Sequence, residues 1–289
     1  MMKHEKKGIK IIECPRDAMQ GWPHFIPTDK KIAYINALLK AGFDTIDFGS
    51  FVSPKAIPQM ADTAEVIKGL HPVKGRTKLL AIIANLRGAT DAVVFDEITY
   101  LGFPFSISET FQQRNTNSSI LASFETVSEI QNLCIKNQKE LVVYISMGFG
   151  NPYGDEYNES IVAYWVEKMA ELDIKIISLA DTVGVAKPEQ VSSVVQKLIP
   201  SFPGLEIGVH LHSSHQNRIQ KLDAALDAGC MRFDAAIKGI GGCPMAGDDL
   251  VGNMDTEAML HHFEARHLQT GIDHEQLLLC SRLASEIFI

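Results

Sequence analysis

Apolar and polar positions along this chain switch between two periods, and the switches come at short, regular intervals. Ile9 to Cys14 is an apolar run too short for a helix and rich in isoleucine, which predicts a strand. Thr28 then opens a segment with Ile32, Ile35, Leu38 and Leu39 on one face at helical spacing. Ala41-Gly42 closes it, glycine being the residue that tolerates the left-handed conformation past a helix C-terminus. Phe43 to Phe51 reads as the next strand. The same grammar returns later. Pro188 suits the first turn of a helix striped by Val191, Val194, Val195 and Leu198, and Glu206 to His212 follows as a strand. Ile219, Leu222 and Leu226 stripe a further helix, Ala228-Gly229 ends it, and Arg232 to Ile237 is again a strand. More strands fall at Lys78–Ala84, Leu101–Ile107, Leu141–Met147 and Lys175–Leu179. The segments Ala41-Gly-Phe-Asp-Thr-Ile-Asp47 and Ala228-Gly-Cys-Met-Arg-Phe-Asp234 read as two copies of one helix-to-strand joint.

About eight β-α units follow one another with no Pro/Ser-rich linker between them. A (β/α)8 TIM barrel typically takes about 250 residues. The expectation is therefore α/β, one barrel domain over residues 8–289, after a charged tail over residues 1–7. A doubly wound open sheet fits less well, because no glycine-rich dinucleotide loop follows the first strand. Catalytic groups in a barrel sit at the C-terminal ends of the strands. That rule was not used to find the strands, so it tests them. Arg16 and Asp17 follow the first strand, Asp47 and Ser50 end the second, and Ser178 and Asp181 end the sixth. His210 and His212 end the seventh, and the Gly239–Cys243 loop follows the eighth. All of these would share one rim, which marks the protein as an enzyme.

Composition narrows the class. The chain has 289 residues, 46% of them hydrophobic and 21% charged, which is ordinary for a globular protein. No apolar stretch reaches the roughly 18 residues of a membrane span, so no membrane partner is expected. A formal net charge of −8 argues against a nucleic-acid binder, which would carry a basic stripe. The five cysteines, at 14, 134, 230, 243 and 280, form no CxxC and no disulfide framework, so a cytoplasmic location is expected.

The most informative short motif is His210-Leu-His212. Side chains at i and i+2 of a strand leave the same face, so two imidazoles there can grip one ion; the bland alternative is two polar residues at a strand end. With the oxygens of Asp17 and Asn253 the set suits Mg²⁺ or Mn²⁺ rather than zinc, which draws thiolates or a closed tetrahedral set. Arg16 beside Asp17 is a surface ion pair or, functionally, a fixed cation for an oxygen that becomes negative during reaction. Cys243 rides on the loop Gly239-Ile-Gly-Gly-Cys243-Pro-Met-Ala-Gly247, where it could serve as a general acid or base. The other four cysteines read as small buried hydrophobes. His215 reads as a loop residue, Trp22 and Trp165 as packing, and Asn151-Pro-Tyr-Gly-Asp155 as a turn that only connects.

Together these residues resemble the hydroxymethylglutaryl-CoA lyases, of the metal-dependent lyase and Claisen-type TIM-barrel superfamily. The matching pieces are Glu13-Cys-Pro-Arg-Asp-Ala-Met-Gln20, Ser50-Phe-Val-Ser-Pro-Lys55 with Pro58-Gln-Met60, and Ser178-Leu-Ala-Asp-Thr-Val-Gly184. His210-Leu-His212 and Gly241-Gly-Cys-Pro244 with Gly252-Asn253 complete the set. The resemblance implies cleavage of 3-hydroxy-3-methylglutaryl-CoA to acetyl-CoA and acetoacetate, a step of leucine catabolism, with a divalent cation as cofactor. It implies Asp17, His210, His212 and Asn253 as ligands of that cation. Arg16 would stabilise the enolate, Cys243 would donate a proton, and Gln20, Ser50, Ser178 and Asp181 would line the acyl-CoA pocket. A homodimer is also implied.

Asp47 takes the place of the family's catalytic glutamate, shorter by one methylene, and Ser213-Ser-His-Gln216 replaces the usual Asp-Thr-Tyr-Gly. A lyase for a related 3-hydroxyacyl-CoA and a 4-hydroxy-2-oxo acid aldolase are the nearest alternatives. A barrel that only binds a metabolite is the furthest, since it would not be expected to keep the whole set.

Overall fold

The computed structural model describes residues 8–72, 76–242 and 251–289. Eight parallel strands close into a barrel in chain order. They are β1 (Lys10–Glu13), β2 (Thr45–Ser50), β3 (Lys78–Ile82), β4 (Ile98–Ser106), β5 (Glu140–Ser146), β6 (Ile176–Asp181), β7 (Glu206–Leu211) and β8 (Arg232–Ala235). β8 pairs back onto β1, with Lys10 opposite Arg232 and Glu13 opposite Ala235. Parallel strands covered by helices are buried on both faces, which is why they read as nearly continuous apolar runs. Successive side chains therefore divide between two cores. Leu80, Tyr100, Val142, Tyr144 and Ile176 form a small cluster inside the barrel. Most of the remaining core lies between barrel and helices, where Phe233 meets Phe263 at 5.0 Å between ring centroids.

The expected fold is observed, with boundary differences that have local causes. β1 stops at Glu13, and Pro15 starts a short helix, Pro15–Gln20, so Arg16 and Asp17 stand on a helical turn rather than a free loop. β4 begins at Ile98, before the expected Leu101, after a register shift between Leu79 and Leu80 of its neighbour. β7 ends at Leu211, and His212 is held by an isolated antiparallel bridge to Asn253. The repeated joint is real: Gly42 and Gly229 take φ of +96° and +95° as each chain turns from helix into strand.

Trp165 packs as expected, 4.9 Å from Phe105 and 5.7 Å from Phe124 between ring centroids, and Trp22 stacks edgewise on Phe288. The turn at Asn151–Asp155 does more than connect. Asn151 Oδ1 accepts from the backbone of Tyr153 and Asp155, which aims the Asp155 carboxylate at Ser108 and Thr110. It thereby fastens the loop after β4. Among the described residues no helix is long and apolar enough to cross a membrane.

Candidate active site

The site is assembled at the C-terminal rim by β1, β2, β7 and the segment that follows β8. His210 and His212 project from the end of β7, and Asp17 reaches them from the helical turn after β1. One ligand atom from each of these three lies within 4.8 Å of the others. Asn253 completes the group: its Nδ2 donates to Asp17 Oδ2 at 2.7 Å and to the Ile240 carbonyl at 2.9 Å. An amide whose N–H groups are both spent offers only its oxygen onward.

The histidines are prepared in the same sense. His212 Nδ1 meets the Val251 carbonyl at 2.9 Å, and His210 Nδ1 meets Asp234 Oδ2 at 3.2 Å. Each contact favours a proton on Nδ1 and leaves a lone pair on Nε2. Two imidazole nitrogens and a carboxylate converge there, with the Asn253 amide bonded to that carboxylate, a set of groups that can hold a divalent cation. Burial lowers the His212 pKa and His210 lowers it further. Burial also disfavours charge on His210, but the hydrogen bond and charge of Asp234 outweigh it and raise that pKa. For Asp17, burial opposes ionisation, yet Arg16 and then the two histidines hold it below the usual carboxylate range.

Arg16 is pinned between carboxylates. Its Nε donates to both oxygens of Asp47, at 3.2 and 3.0 Å, and its Nη2 forks onto Asp47 as well. Nη1 donates to Asp17 at 2.9 Å and to Gln20 at 3.0 Å. The remaining N–H, on Nη2, has no acceptor among the described residues. Burial works against its charge, and Asp47 and Asp17 more than restore it, raising the pKa. Burial pushes Asp47 up to about 6 even with Arg16 pulling the other way. Gln20 braces the pair, since its Nε2 donates to Asp17 at 2.7 Å while its oxygen accepts from Arg16.

The Gly239–Gly242 loop lies directly on this cluster. A Cβ at Gly241 would stand 2.6 Å from Asn253 Nδ2 and 2.8 Å from the Asp17 carbonyl, so only glycine allows the approach. Cys243, expected on the same loop, lies outside the described residues.

The other expected residues divide. Ser50 and Ser178 are buried, and their hydroxyls have no partner among the described residues. Ser50 lies on the wall of a groove of about 340 Å³ that Phe51, Ser53, Asn85 and Arg87 also line. Asp181 is otherwise engaged: Lys221 Nζ donates to it at 2.6 Å and the Ala186 amide at 3.0 Å. The same Nζ donates to the His212 carbonyl at 2.8 Å, so this buried pair fixes the backbone at the candidate ligand cluster. His215 is exposed and stands outside the cluster. Cys14, expected to be simple packing, is buried but shares a 4.8 Å group with His210 and Asp234. Burial raises its pKa well above the usual value, so it stays a thiol.

Lys221 and Asp234 were not singled out in the sequence. Lys221 carries no signal there, because a lysine on a helix is ordinarily solvated. Asp234 does carry one, since it occupies the position of Asp47 in the second copy of the joint.

The HMGL-like family matches residues 9–284. A hydroxymethylglutaryl-CoA lyase of Bacillus subtilis is 33% identical over 284 residues, which is 97% of this chain and 93% of that protein. A cytoplasmic 3-hydroxy-3-methylglutaryl-CoA lyase of Rattus norvegicus is 32% identical over 93% of this chain and 78% of its own length. Among solved structures, an HMG-CoA lyase from Acinetobacter baumannii in complex with coenzyme A and 3-methylmalate superposes with a TM-score of 0.90. It is 34% identical, over 97% of this chain and 91% of that one.

Proposed function

The chain belongs to the HMGL-like family, and from that premise we propose that it is a hydroxymethylglutaryl-CoA lyase, cleaving 3-hydroxy-3-methylglutaryl-CoA into acetyl-CoA and acetoacetate. The observation that carries this reading is the convergence of Asp17, His210 and His212 at the rim, with Asn253 bonded to Asp17 and both histidines bonded through Nδ1 to acceptors outside the group. Those four would hold Mg²⁺ or Mn²⁺, which when bound supplies Lewis-acid polarisation of the substrate's hydroxyl and carboxylate oxygens.

The chain's own residues do the rest. The C3 hydroxyl gives up its proton to a base at the site, for which Asp47 is the candidate, and C3 becomes the ketone carbon of acetoacetate. As the C2–C3 bond breaks, its electron pair moves onto the thioester, whose oxygen becomes negative. Arg16 offers its free Nη2 N–H to that charge and, being held by Asp47 and Asp17, needs little reorganisation to do so. Cys243 is the candidate proton donor to the acetyl-CoA carbon. Asp47, raised toward neutrality by burial, positions Arg16 and can take the glutamate's role only at shorter reach. Ser50 is a hydroxyl kept for the acyl-CoA, and the groove beside it is the candidate path for the pantetheine arm. Gln20 and Asp181 act one step back, holding Asp17 and the His212 backbone. Acyl-CoA is accordingly the expected small-molecule partner. A homodimer and a cytoplasmic location, the latter in common with the rat relative, complete the reading.

Turnover by protein stripped of metal and reloaded with Mg²⁺ or Mn²⁺ tests it. Acetoacetate should be released from 3-hydroxy-3-methylglutaryl-CoA only with metal, and not by His212→Ala. Bound metal with no acetoacetate would overturn the substrate assignment and direct the search to other 3-hydroxyacyl-CoA compounds.

A further inference from the structure

Inside the barrel, below the metal site, polar atoms without partners are gathered rather than scattered. Eight buried side-chain atoms among the described residues have no hydrogen-bond partner in the protein, and five belong to one group. These are Tyr144 Oη, Ser178 Oγ, Arg232 Nε and Nη2, and Asp234 Oδ1. The strand register explains the gathering. Tyr144 pairs with Ser178, Ser178 with Gly208, and His210 with Asp234, which puts Gly208 beside Arg232. A Cβ at Gly208 would stand 2.8 Å from both Cγ and Cδ of Arg232, so the missing side chain is what admits the arginine.

Arg232 enters from the barrel floor, and only 1% of the residue is exposed. Its Nη1 donates to Glu206 at 3.0 Å, and Glu206 is paired in turn with Lys10. The rest of the guanidinium points into the interior, on the same face as Asp234 two residues on. No direct hydrogen bond joins the two. One Asp234 oxygen serves His210 and the other has no partner. The register thus brings donors without acceptors on Arg232 and an acceptor without a donor on Asp234 to one stretch of the barrel interior, beside the hydroxyls of Tyr144 and Ser178 that can act either way. Buried polar groups in native proteins are almost always satisfied, and water bridges such sets when the site is polar and holds several partners.

We propose that this row is a built water site, and that Arg232 is a positioning residue of the metal centre. Through internal water it holds Asp234 as the carboxylate that orients His210. The inference rests on reading His210 as a metal ligand. It adds a link from the floor of the barrel to the ion: Lys10, Glu206, Arg232, water, Asp234, His210.

Mn²⁺ titration of the substrate-free, metal-stripped protein tests it. Groups of this rank around metal ligands typically change affinity by about 10–100-fold. Arg232→Met should weaken Mn²⁺ binding about tenfold or more, and Arg232→Lys, which keeps charge and donors, should stay within about threefold of the parent. In an Asp234→Asn background Arg232→Met should add less than about twofold. If Arg232→Met does not fold, Arg232→Gln removes the charge while keeping a polar side chain and is expected to weaken binding likewise. A folded Arg232→Met or Arg232→Gln protein with unchanged Mn²⁺ affinity would overturn the proposal, as would equal losses in the Met and Lys variants. Failure of the parent protein to bind Mn²⁺ would instead overturn the metal-site reading itself. A crystal structure should show ordered water on Arg232 Nη2 and Asp234 Oδ1, and a dry interior there would contradict the proposal.

Discussion

The two copies of the helix-to-strand joint, residues 41–47 and 228–234, start from nearly the same local sequence and end in different chemistry. Each turns through a left-handed glycine and delivers an aspartate to the barrel interior, Asp47 on β2 and Asp234 beyond Phe233 on β8. Asp47 meets a fixed cation and is bonded by three N–H contacts from Arg16. Asp234 meets an imidazole and gives it one oxygen, while the other has no partner among the described residues. Asp47 therefore holds Arg16, the group proposed to face developing substrate charge, and Asp234 holds His210, a proposed ligand of the ion. A buried carboxylate takes its role from its partner, not from the joint that delivers it. Glu13 extends the series. It is fully buried on β1, accepts from Thr256 at 2.6 Å and from the Ile237 amide at 2.9 Å, and is paired with no cation among the described residues. Burial pushes its pKa to about 8, whereas Asp47, with Arg16 against it, reaches only about 6.

The largest effect should come from breaking the first partnership. Arg16→Met removes the charge facing the substrate and strands Asp47 and Asp17. Turnover should fall by about 10²–10³-fold, the usual cost of losing a preorganised charge donor. Denaturant unfolding should show a loss of about 3–5 kcal/mol, as when one partner of a buried pair is removed. Turnover near that of the parent would break the account of Arg16.

Asp234→Asn should act on the ion instead. Mn²⁺ affinity should weaken by about 10–100-fold, while kcat at saturating metal changes far less than in Arg16→Met. Were kcat at saturating metal to collapse equally in both, the two joints would not have separate roles. The smallest effect belongs to Glu13. Between its ordinary value of 4.5 and about 8, native Glu13 keeps a proton that the unfolded chain has released. The native state then binds more protons, so stability falls as pH rises through that window. Glu13→Gln should flatten this fall in urea-unfolding curves taken between pH 5 and pH 8; an unchanged slope would assign it to other groups.

Much of this was legible before any coordinates. The alternation of strands and helices was readable because every strand is buried on both faces, and the rim residues followed from the strand ends. The H-x-H spacing and the Arg16-Asp17 pair carry their geometry in the sequence. What stayed hidden depends on pairing across the chain. Asp234 was marked by its repeated position, but its partner His210 is fixed only by the register of β7 on β8. Lys221 sits between the stripe residues Ile219 and Leu222, where nothing local says that it is buried against Asp181. Arg232 reads as the polar first residue of a strand until Gly208, on the neighbouring strand, is seen to make room for it. The resemblance implies Gln20 and Asp181 as pocket residues, but their contacts with Arg16, Asp17 and Lys221 are set by the fold and carry no signal in the sequence.

The claim on which all of this depends is that His210 and His212 both ligate one cation. Electron spin-echo spectroscopy of Mn²⁺ bound to protein carrying ¹⁵N-labelled histidine reads that directly. Couplings from two imidazole nitrogens are expected in the parent protein and from one in His212→Ala loaded at high Mn²⁺. A bound Mn²⁺ spectrum with no histidine nitrogen coupling would contradict the account.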